Sequence, residues 1–242
     1  MFILVKDNDN YLESIKEAKK YNYEVVTMFN LILNGKERIR NQLKEIQEKK
    51  QKLKPKYSAI IVTAQNIENS SVGTVNMLKQ DFDLVIGMGG LNKSNRFFIE
   101  DTKIDFLLDS QNSKFKSKID FIHHFNSGIN QVLGKMARDK EIGLIFSLNF
   151  TQSNNKIVSK EIGRINQNIK FARKYNLPVY INFLIENKFQ IKSQIQIDSI
   201  YSLFDTDTKQ KNNNKNVIED KIIKNRELKS DKYIAQGIRL AD

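Results

Sequence analysis

The sequence predicts an α/β fold, an incomplete or distorted parallel (β/α) barrel of about seven strands. Short apolar runs rich in β-branched residues recur along the chain, and amphipathic stretches with helical spacing separate them. Such alternation indicates right-handed strand-helix-strand units and a parallel sheet. The length of 242 residues is also one that a single α/β barrel routinely reaches.

Each predicted element follows from an apolar pattern. The predicted strands cover 2–5, 23–29, 59–63, 84–88, 104–108, 142–148 and 178–182, and the predicted helices between them cover 11–21, 36–54, 72–80, 127–140 and 159–175. Apolar alternation at Phe189, Ile191, Ile195 and Ile197 leaves room for an eighth strand, whereas a helix over 194–204 is the competing interpretation.

The most informative stretch is 127–149, SGINQVLGKMARDKEIGLIFSLN, which joins a helix to a buried strand. Ser127 is placed to cap the helix, and Lys135, Arg138 and Lys140 bring positive charge to its last turns. The segment 142–148 that follows is apolar enough for a strand that is covered on both faces.

The chain contains no linker that would divide its first 205 residues. We therefore expect a single barrel domain over 1–205. The tract DTDTKQKNNNKN predicts a polar surface loop over 206–216. A C-terminal helix, centred on 217–224, and a tail complete the chain over 217–242.

Composition restricts the function. Forty Lys and Arg against 28 Asp and Glu give a formal charge of +12, which is typical of a nucleic-acid partner, although lysines on solvated helix faces would produce the same excess. No apolar run approaches the roughly 18 residues of a membrane span, so we expect a soluble, cytoplasmic protein with no membrane partner. The absence of cysteine excludes disulfides and thiol chemistry.

The chain offers few candidate ligands for the metal ions of a metal-dependent hydrolase. The chain has two histidines, His123 and His124, and adjacent side chains on an extended backbone point in opposite directions. This disfavours a polynuclear metal centre, which requires several ligands to converge. A phosphoesterase that uses Asp7, His123, His124 and Glu186 is the alternative from a different functional class.

The segment IGMGGLN, residues 86–92, partly matches a dinucleotide-binding loop, but the third glycine is missing and the following SNRFFI is not predicted to be a helix. A tight turn is the favoured interpretation. Exposed backbone amides beside Lys93 and Arg96 would be a possible grip for an RNA phosphate.

Four segments together resemble one family. SGINQVLGKMARDKEIGLIFSLN from Ser127, RINQNIKFARKYNLPVYI from Arg164, DLVIGMGGLNKSNRFFIED from Asp83 and KNRELKSDKYIAQGIRLAD from Lys224 are similar, in this order, to segments of ribonuclease P protein component 3. The resemblance spans nearly the whole chain. The sequence departs from the family at FILVKDNDN, at NFLIEN, and at Gln131, where the family often has histidine.

The resemblance implies an archaeal protein with a barrel related to that of polymerase and histidinol phosphatase hydrolases, without their metal ligands. It implies a subunit of ribonuclease P, which removes 5′ leaders from precursor tRNA. The RNA subunit would catalyse the cleavage with Mg²⁺, and this chain would hold no cofactor and have no catalytic residue of its own. Its partners would be the ribonuclease P RNA, component 2, the other protein subunits and, indirectly, precursor tRNA.

We expect six cationic residues to contact RNA, because guanidinium and ammonium groups bind phosphates. They are Arg96, Arg138, Arg164, Arg173, Lys174 and Lys192. Arg96 is the strongest candidate because it follows the glycine-rich loop, whereas Arg173 and Lys174 either contact RNA or lie along an outer helix. A general RNA-binding scaffold outside ribonuclease P is a third functional hypothesis.

Overall fold

The computed structural model describes residues 1–65, 67, 69–111, 120, 125–149, 155–204, 208–230, 233–235 and 238–239, with the backbone alone at 69–70, 155–157, 208–215, 233–235 and 238–239. The main sheet contains β1 Phe2–Lys6, β2 Glu24–Leu33, β3 Tyr57–Ala64, β4 Leu84–Met88, β5 Phe106–Leu108, β6 Gly143–Ser147, β7 Val179–Asn182 and β8 Leu184–Ile185. The helices are α1 Tyr11–Lys20, α2 Lys36–Leu53, α3 Asn69–Asp81, α4 Asn92–Glu100, α5 Gln131–Asp139, α6 Asn155–Tyr175, α7 Gln194–Leu203 and α8 Thr208–Leu228. A short antiparallel pair follows, β9 Tyr233–Ala235 with β10 Ile238–Arg239.

The eight strands form one sheet in the order β7-β6-β5-β4-β3-β2-β1-β8, and every neighbouring pair is parallel. The sheet curls into a nearly closed barrel with helices around it. The predicted incomplete parallel barrel is therefore confirmed, with eight strands in place of about seven. None of the helices in the described part of the chain combines the length and apolar character that a membrane span requires.

Side chains bridge the seam between β7 and the strands β1 and β8. The Tyr180 hydroxyl donates to the backbone carbonyl of Phe2 at 2.7 Å. The Asn149 amide donates to the Leu184 carbonyl at 2.7 Å and accepts from the Leu184 N–H at 3.0 Å. Burial raises the pKa of the Tyr180 phenol, so this group remains a protonated donor across the seam.

Strand side chains alternate between two cores. In β1, Phe2 and Leu4 point into the barrel interior, whereas Ile3 and Val5 pack beneath the surrounding helices. In β6, Ile145 points inward and its neighbours point outward. The predicted coverage of β6 on both faces is thus confirmed, and it explains why these strands are continuous apolar runs.

Helix α8 lies across the end of the barrel where the strands begin. Ile218 and Ile222, 0% and 1% exposed, belong to the barrel's interior core, and the Asn225 amide donates to the Asp83 carbonyl at 2.8 Å. Because α8 begins at Thr208, it covers most of the segment 206–216, and the polar loop predicted there is wrong. The single barrel domain over 1–205 and the separate C-terminal part over 217–242 stay predictions.

Two helix starts differ from the sequence predictions. Helix α5 begins at Gln131, because the Asn130 side chain accepts a hydrogen bond from the Leu133 N–H at 2.9 Å. Ser127 lies three residues earlier and does not cap this helix. Helix α4 begins at Asn92, so the segment SNRFFI, which was not predicted to be a helix, is helical.

The ambiguous segment after β8 is helix α7, which confirms the helical interpretation of 194–204. Ser193 and Gln196 form a capping box: the Ser193 hydroxyl accepts from the Gln196 N–H, and the Gln196 side chain accepts from the Ser193 N–H at 2.9 Å. The eighth strand of the barrel is instead the two-residue β8, earlier in the chain.

Candidate nucleic-acid interface

Two of the four family-like segments, those from Asp83 and Ser127, meet at Asn95, a fully buried residue of α4. Its amide nitrogen donates to the carbonyls of Ser110 and Gly128 at 3.0 and 2.9 Å. Its amide oxygen accepts from the Gly90 N–H at 2.9 Å. One side chain therefore fixes the loops that follow β4 and β5 and the segment that precedes α5.

The glycine-rich loop is a tight turn, as favoured from the sequence. Gly90 has a φ of 128°, and a Cβ on Gly89 would lie 2.8 Å from the Ser110 Cα. The N–H groups of both glycines are used within the protein, by the Leu108 carbonyl at 2.7 Å and by Asn95. The N–H groups of Gly89 and Gly90 are therefore unavailable to an RNA phosphate, because both glycines are buried and their N–H groups are already bonded.

A second buried amide, Asn168 of α6, extends the network. Its nitrogen donates to the Ser110 hydroxyl at 2.9 Å and to the Ser127 carbonyl at 3.0 Å. Gln167 accepts from the Phe125 N–H at 3.1 Å and donates to the Ser127 hydroxyl at 3.1 Å. Sequence reasoning missed both asparagines as functional positions, although they lie inside the segments that carried the family resemblance.

A groove of about 670 Å³ lies above this network, between α4, the segment 125–130, the start of α5, and α6. Its lining combines a guanidinium, several amides and aromatic rings: Arg96, Asn92, Asn130, Gln131, Gln167, Phe125 and Phe171. Such a set is suited to single-stranded RNA, because amides bond to base edges, aromatic rings stack on bases and arginine binds phosphate.

Arg96 is the one predicted RNA contact that lines this groove. Its side chain is 70% exposed and forms an ion pair with Glu100 one turn later, at 2.5 Å. The Glu100 carboxylate raises the pKa of Arg96. Because the pair is exposed, its energy is small, and the guanidinium is free to change partner at little cost.

Arg164 does not present its charge at the surface. Its side chain is 4% exposed and binds the Asp120 carboxylate at 2.8 Å. Burial raises the pKa of Asp120, but Arg164 and the Asn126 N–H outweigh this and hold it below its usual range. A buried, paired guanidinium of this kind holds a loop in position, and contact of Arg164 with RNA stays a prediction.

The other four predicted contacts are dispersed. Arg138, 54% exposed, pairs with Asp139 at the end of α5, and Arg173 lies in the last turn of α6. Lys174 is exposed, with its ammonium 5.6 Å from the centre of the neighbouring Tyr175 ring. Lys192 lies after β8, 5.8 Å from the Phe183 ring. The six residues do not form one surface, and contact with RNA stays a prediction for them.

The loops that follow β1 and β8, at the same end of the barrel as the glycine-rich loop, carry two of the proposed phosphoesterase ligands. Glu186 forms an ion pair with Lys6, and Asp7 pairs with Lys49 at 3.3 Å. His123 and His124 lie outside the described residues. Within the described part of the chain, no group of three or more carboxylates or imidazoles is placed to hold a metal ion.

These features define a parallel (β/α) barrel of eight strands, with a groove lined by amides, aromatic rings and an arginine between the elements that follow β4, β5 and β6. No protein-family model matches the chain, and neither does any curated protein sequence. A solved structure, the "cryo-EM structure of archaeal Ribonuclease P with mature tRNA", contains a chain with the same fold. The TM-score is 0.75 at 17% identity, and the match covers 100% of this chain and 98% of that one.

Proposed function

We propose that this chain is a protein subunit of ribonuclease P, equivalent to component 3. In this proposal it binds and stabilises the catalytic RNA while the RNA, with Mg²⁺, removes 5′ leaders from precursor tRNA. Component 2 and the other protein subunits are its protein partners. The observation that carries the proposal is the agreement in fold, over essentially the full length of both chains, with a chain from an archaeal ribonuclease P structure.

Two further observations support it. Three of the four segments that resemble component 3 converge on Asn95 and Asn168, so most of the resemblance coincides with one structural unit rather than with scattered surface positions. The formal charge of +12 gives the affinity for phosphates that an RNA-bound subunit needs.

The groove above the network is the proposed site of RNA contact, with Arg96 as its phosphate ligand. Arg96→Ala should reduce the magnitude of the log-log salt slope of RNA binding by about 0.7 to 0.9, because one phosphate contact is lost. Arg40→Ala is the matched control, since Arg40 is exposed on the outer face of α2. Equal slopes for the wild type and Arg96→Ala would remove Arg96 from the site.

Reconstitution tests the function itself. Ribonuclease P RNA and the other protein subunits are assembled with and without this chain, and the initial rate of precursor tRNA cleavage is measured at limiting Mg²⁺. We expect omission to lower the rate at least several-fold, and raised Mg²⁺ to restore part of it, because the ion and the protein both neutralise RNA phosphates. An unchanged rate would refute the proposal and favour an RNA-binding scaffold outside ribonuclease P.

The phosphoesterase hypothesis makes the opposite predictions for the isolated chain. It requires stoichiometric bound transition metal and hydrolysis of a simple ester such as p-nitrophenyl phosphate. We expect neither, because Glu186 and Asp7 already pair with lysines. Metal analysis of the purified chain and a hydrolysis assay with added Mn²⁺ measure both properties.

A further inference from the structure

The end of the barrel opposite the groove carries a cluster of four cations, which we name the floor cluster: Lys50, Lys56, Arg226 and Lys229. They come from three elements that meet where α2 ends, where β3 begins, and where α8 ends. This cluster was not among the RNA contacts predicted from the sequence.

Aromatic rings hold three of these cations in place. The Lys56 ammonium and the Arg226 guanidinium lie 5.0 and 4.7 Å from the centre of the Tyr57 ring. The Lys50 ammonium lies 4.5 Å from the centre of the Phe82 ring. Cation-π contacts of this kind restrict long side chains that would otherwise sample many rotamers. The cluster is thus ordered before any ligand arrives, which lowers the entropy cost of binding.

Only part of this charge is neutralised by the carboxylates seen to pair with it. Arg226 binds Asp83 through two hydrogen bonds of 2.7 and 3.1 Å, and Lys56 binds the exposed Glu24 at 3.0 Å. Lys50 and Lys229 instead donate to backbone carbonyls at the end of α3, that of Asp81 and, at 2.6 Å, that of Phe82.

An ammonium group has three N–H donors, so Lys50 and Lys229 each keep donors beyond the carbonyl they contact. Partial burial lowers the pKa of Lys229, and the nearby charges of Lys50 and Arg226 lower it further against the opposing effect of Asp83. Like charges gathered in this way repel one another, and a bound anion relieves that repulsion.

Attachment of α8 to the barrel explains only some of the cluster. Arg226 and Asn225 fasten α8 to Asp83 directly. Lys50 belongs to α2 and contacts α3, and Lys56 pairs with Glu24 of β2, so neither of these lysines is needed to hold α8.

We propose that the floor cluster binds phosphates of an RNA backbone, so that the protein contacts RNA at both ends of its barrel. Ammonium groups act as point charges and bind phosphates without reading sequence, which suits the backbone of a duplex. The overall charge of +12 favours RNA over an acidic protein, because the whole molecule attracts a polyanion. The identity of that RNA rests on the function proposed above, whereas the phosphate chemistry does not.

The experiment uses the full chain and a fluorescein-labelled RNA duplex of 20 base pairs. Dissociation constants are measured from 0.05 to 0.25 M KCl for the wild type, for Lys50→Gln/Lys229→Gln, and for a control, Lys16→Gln/Lys170→Gln. The control removes the same charge from exposed positions on α1 and α6. A fourth protein, Lys50→Arg/Lys229→Arg, keeps the charge but changes the hydrogen-bond geometry.

Loss of two contacts should reduce the magnitude of the slope by about 1.4 to 1.8, at roughly 0.7 to 0.9 per contact. If this contribution vanishes near 1 M salt, binding at 0.1 M weakens roughly 25- to 60-fold. We expect the wild-type slope for the Arg double variant and a clearly smaller change for the control. Circular dichroism spectra like that of the wild type and a cooperative unfolding transition above the assay temperature establish that each variant is folded.

An unchanged slope for Lys50→Gln/Lys229→Gln overturns the inference, and so does an equal change in the control, since that shows only a general charge effect. A slope lost equally in the Gln and Arg variants assigns these lysines a structural role and also overturns it. Failure here leaves the reconstitution result intact. Conversely, the expected reduction in slope for Lys50→Gln/Lys229→Gln would uphold RNA binding at the floor cluster even if the wild-type chain did not support precursor tRNA cleavage. In that case only the role in ribonuclease P would be refuted.

Discussion

Ile222→Ala tests whether α8 is part of the barrel's core. Ile222 is 1% exposed in the barrel interior, whereas its neighbour Ile223 is 49% exposed on the same helix. The substitution removes three carbons, a transfer loss of about 2.4 kcal/mol at roughly 0.8 kcal/mol per buried CH₂. A residual cavity of about 50 Å³ adds about 1.2 kcal/mol. We therefore expect Ile222→Ala to lower the free energy of unfolding by about 3.5 kcal/mol.

Ile223→Ala is the matched control, because it makes the same chemical change on the same helix and should alter stability by less than about 1 kcal/mol. Urea unfolding followed by circular dichroism at 222 nm gives both midpoints. At a slope of about 3 kcal/mol/M, the Ile222→Ala midpoint should fall by about 1 M with the slope unchanged. Equal midpoints for the two variants would refute the placement of α8 in the core.

Four other substitutions have defined outcomes. Gly87→Ala should lower the free energy of unfolding by roughly 1–3 kcal/mol, because the new Cβ would lie 2.6 Å from an aromatic ring of α4. Gly73→Ala on α3 should raise it by about 0.5–1 kcal/mol, because a Cβ there meets nothing within 4 Å. If the two variants shifted the thermal unfolding midpoint in the same direction, this pair of predictions would be contradicted. Asn95→Ala leaves three buried backbone groups without their partner and should cost more than about 2 kcal/mol in urea unfolding, so a loss below about 1 kcal/mol would count against the network. Burial raises the pKa of Asp83, but Arg226 and the Ser58 backbone N–H outweigh this and hold it below its ordinary value. The ionised Asp83 carboxylate therefore stabilises the folded protein fully above the unfolded pKa of about 4, and this stabilisation is lost as pH falls through the folded pKa. The stability difference between wild type and Asp83→Asn should therefore shrink from pH 6 to pH 3, and a constant difference would contradict this reasoning.

Much of the fold could be predicted because burial on both faces leaves a strong local pattern. Strands β1 and β4 match the predicted ranges to within one residue, since both are continuous apolar runs. The two-residue β8 is too short to leave such a pattern, and its pairing with β1 depends on closure of the barrel. The start of α8 was missed because a polar, asparagine-rich tract is locally typical of a loop, and its anchors Ile218 and Ile222 lie further along the chain.

The candidate site was harder to predict for a different reason. Arginines were predicted as site residues because of their charge, yet Arg164 is buried against Asp120. The residues that join the loops are the uncharged Asn95 and Asn168. Amides buried between loops have no periodicity or charge signal, so only their position within the resembling segments pointed to them. The floor cluster could not be predicted from the sequence either, because its members are distant in sequence and meet through the packing of α8.

The parallel barrel explains how this protein accommodates its positive charge. Its helices end on the side of the barrel where the strands begin, and basic residues occupy the last turns of α1, α2, α3, α5 and α6. A cation there interacts favourably with the helix dipole by about 0.3–1 kcal/mol, so positive charge at this end stabilises the fold as well as attracting phosphate. Substitutions of floor cations should consequently affect both stability and RNA binding. Substitution of Arg96 should affect binding almost alone, because it lies in the middle of its nine-residue helix, where a cation gains little from the dipole.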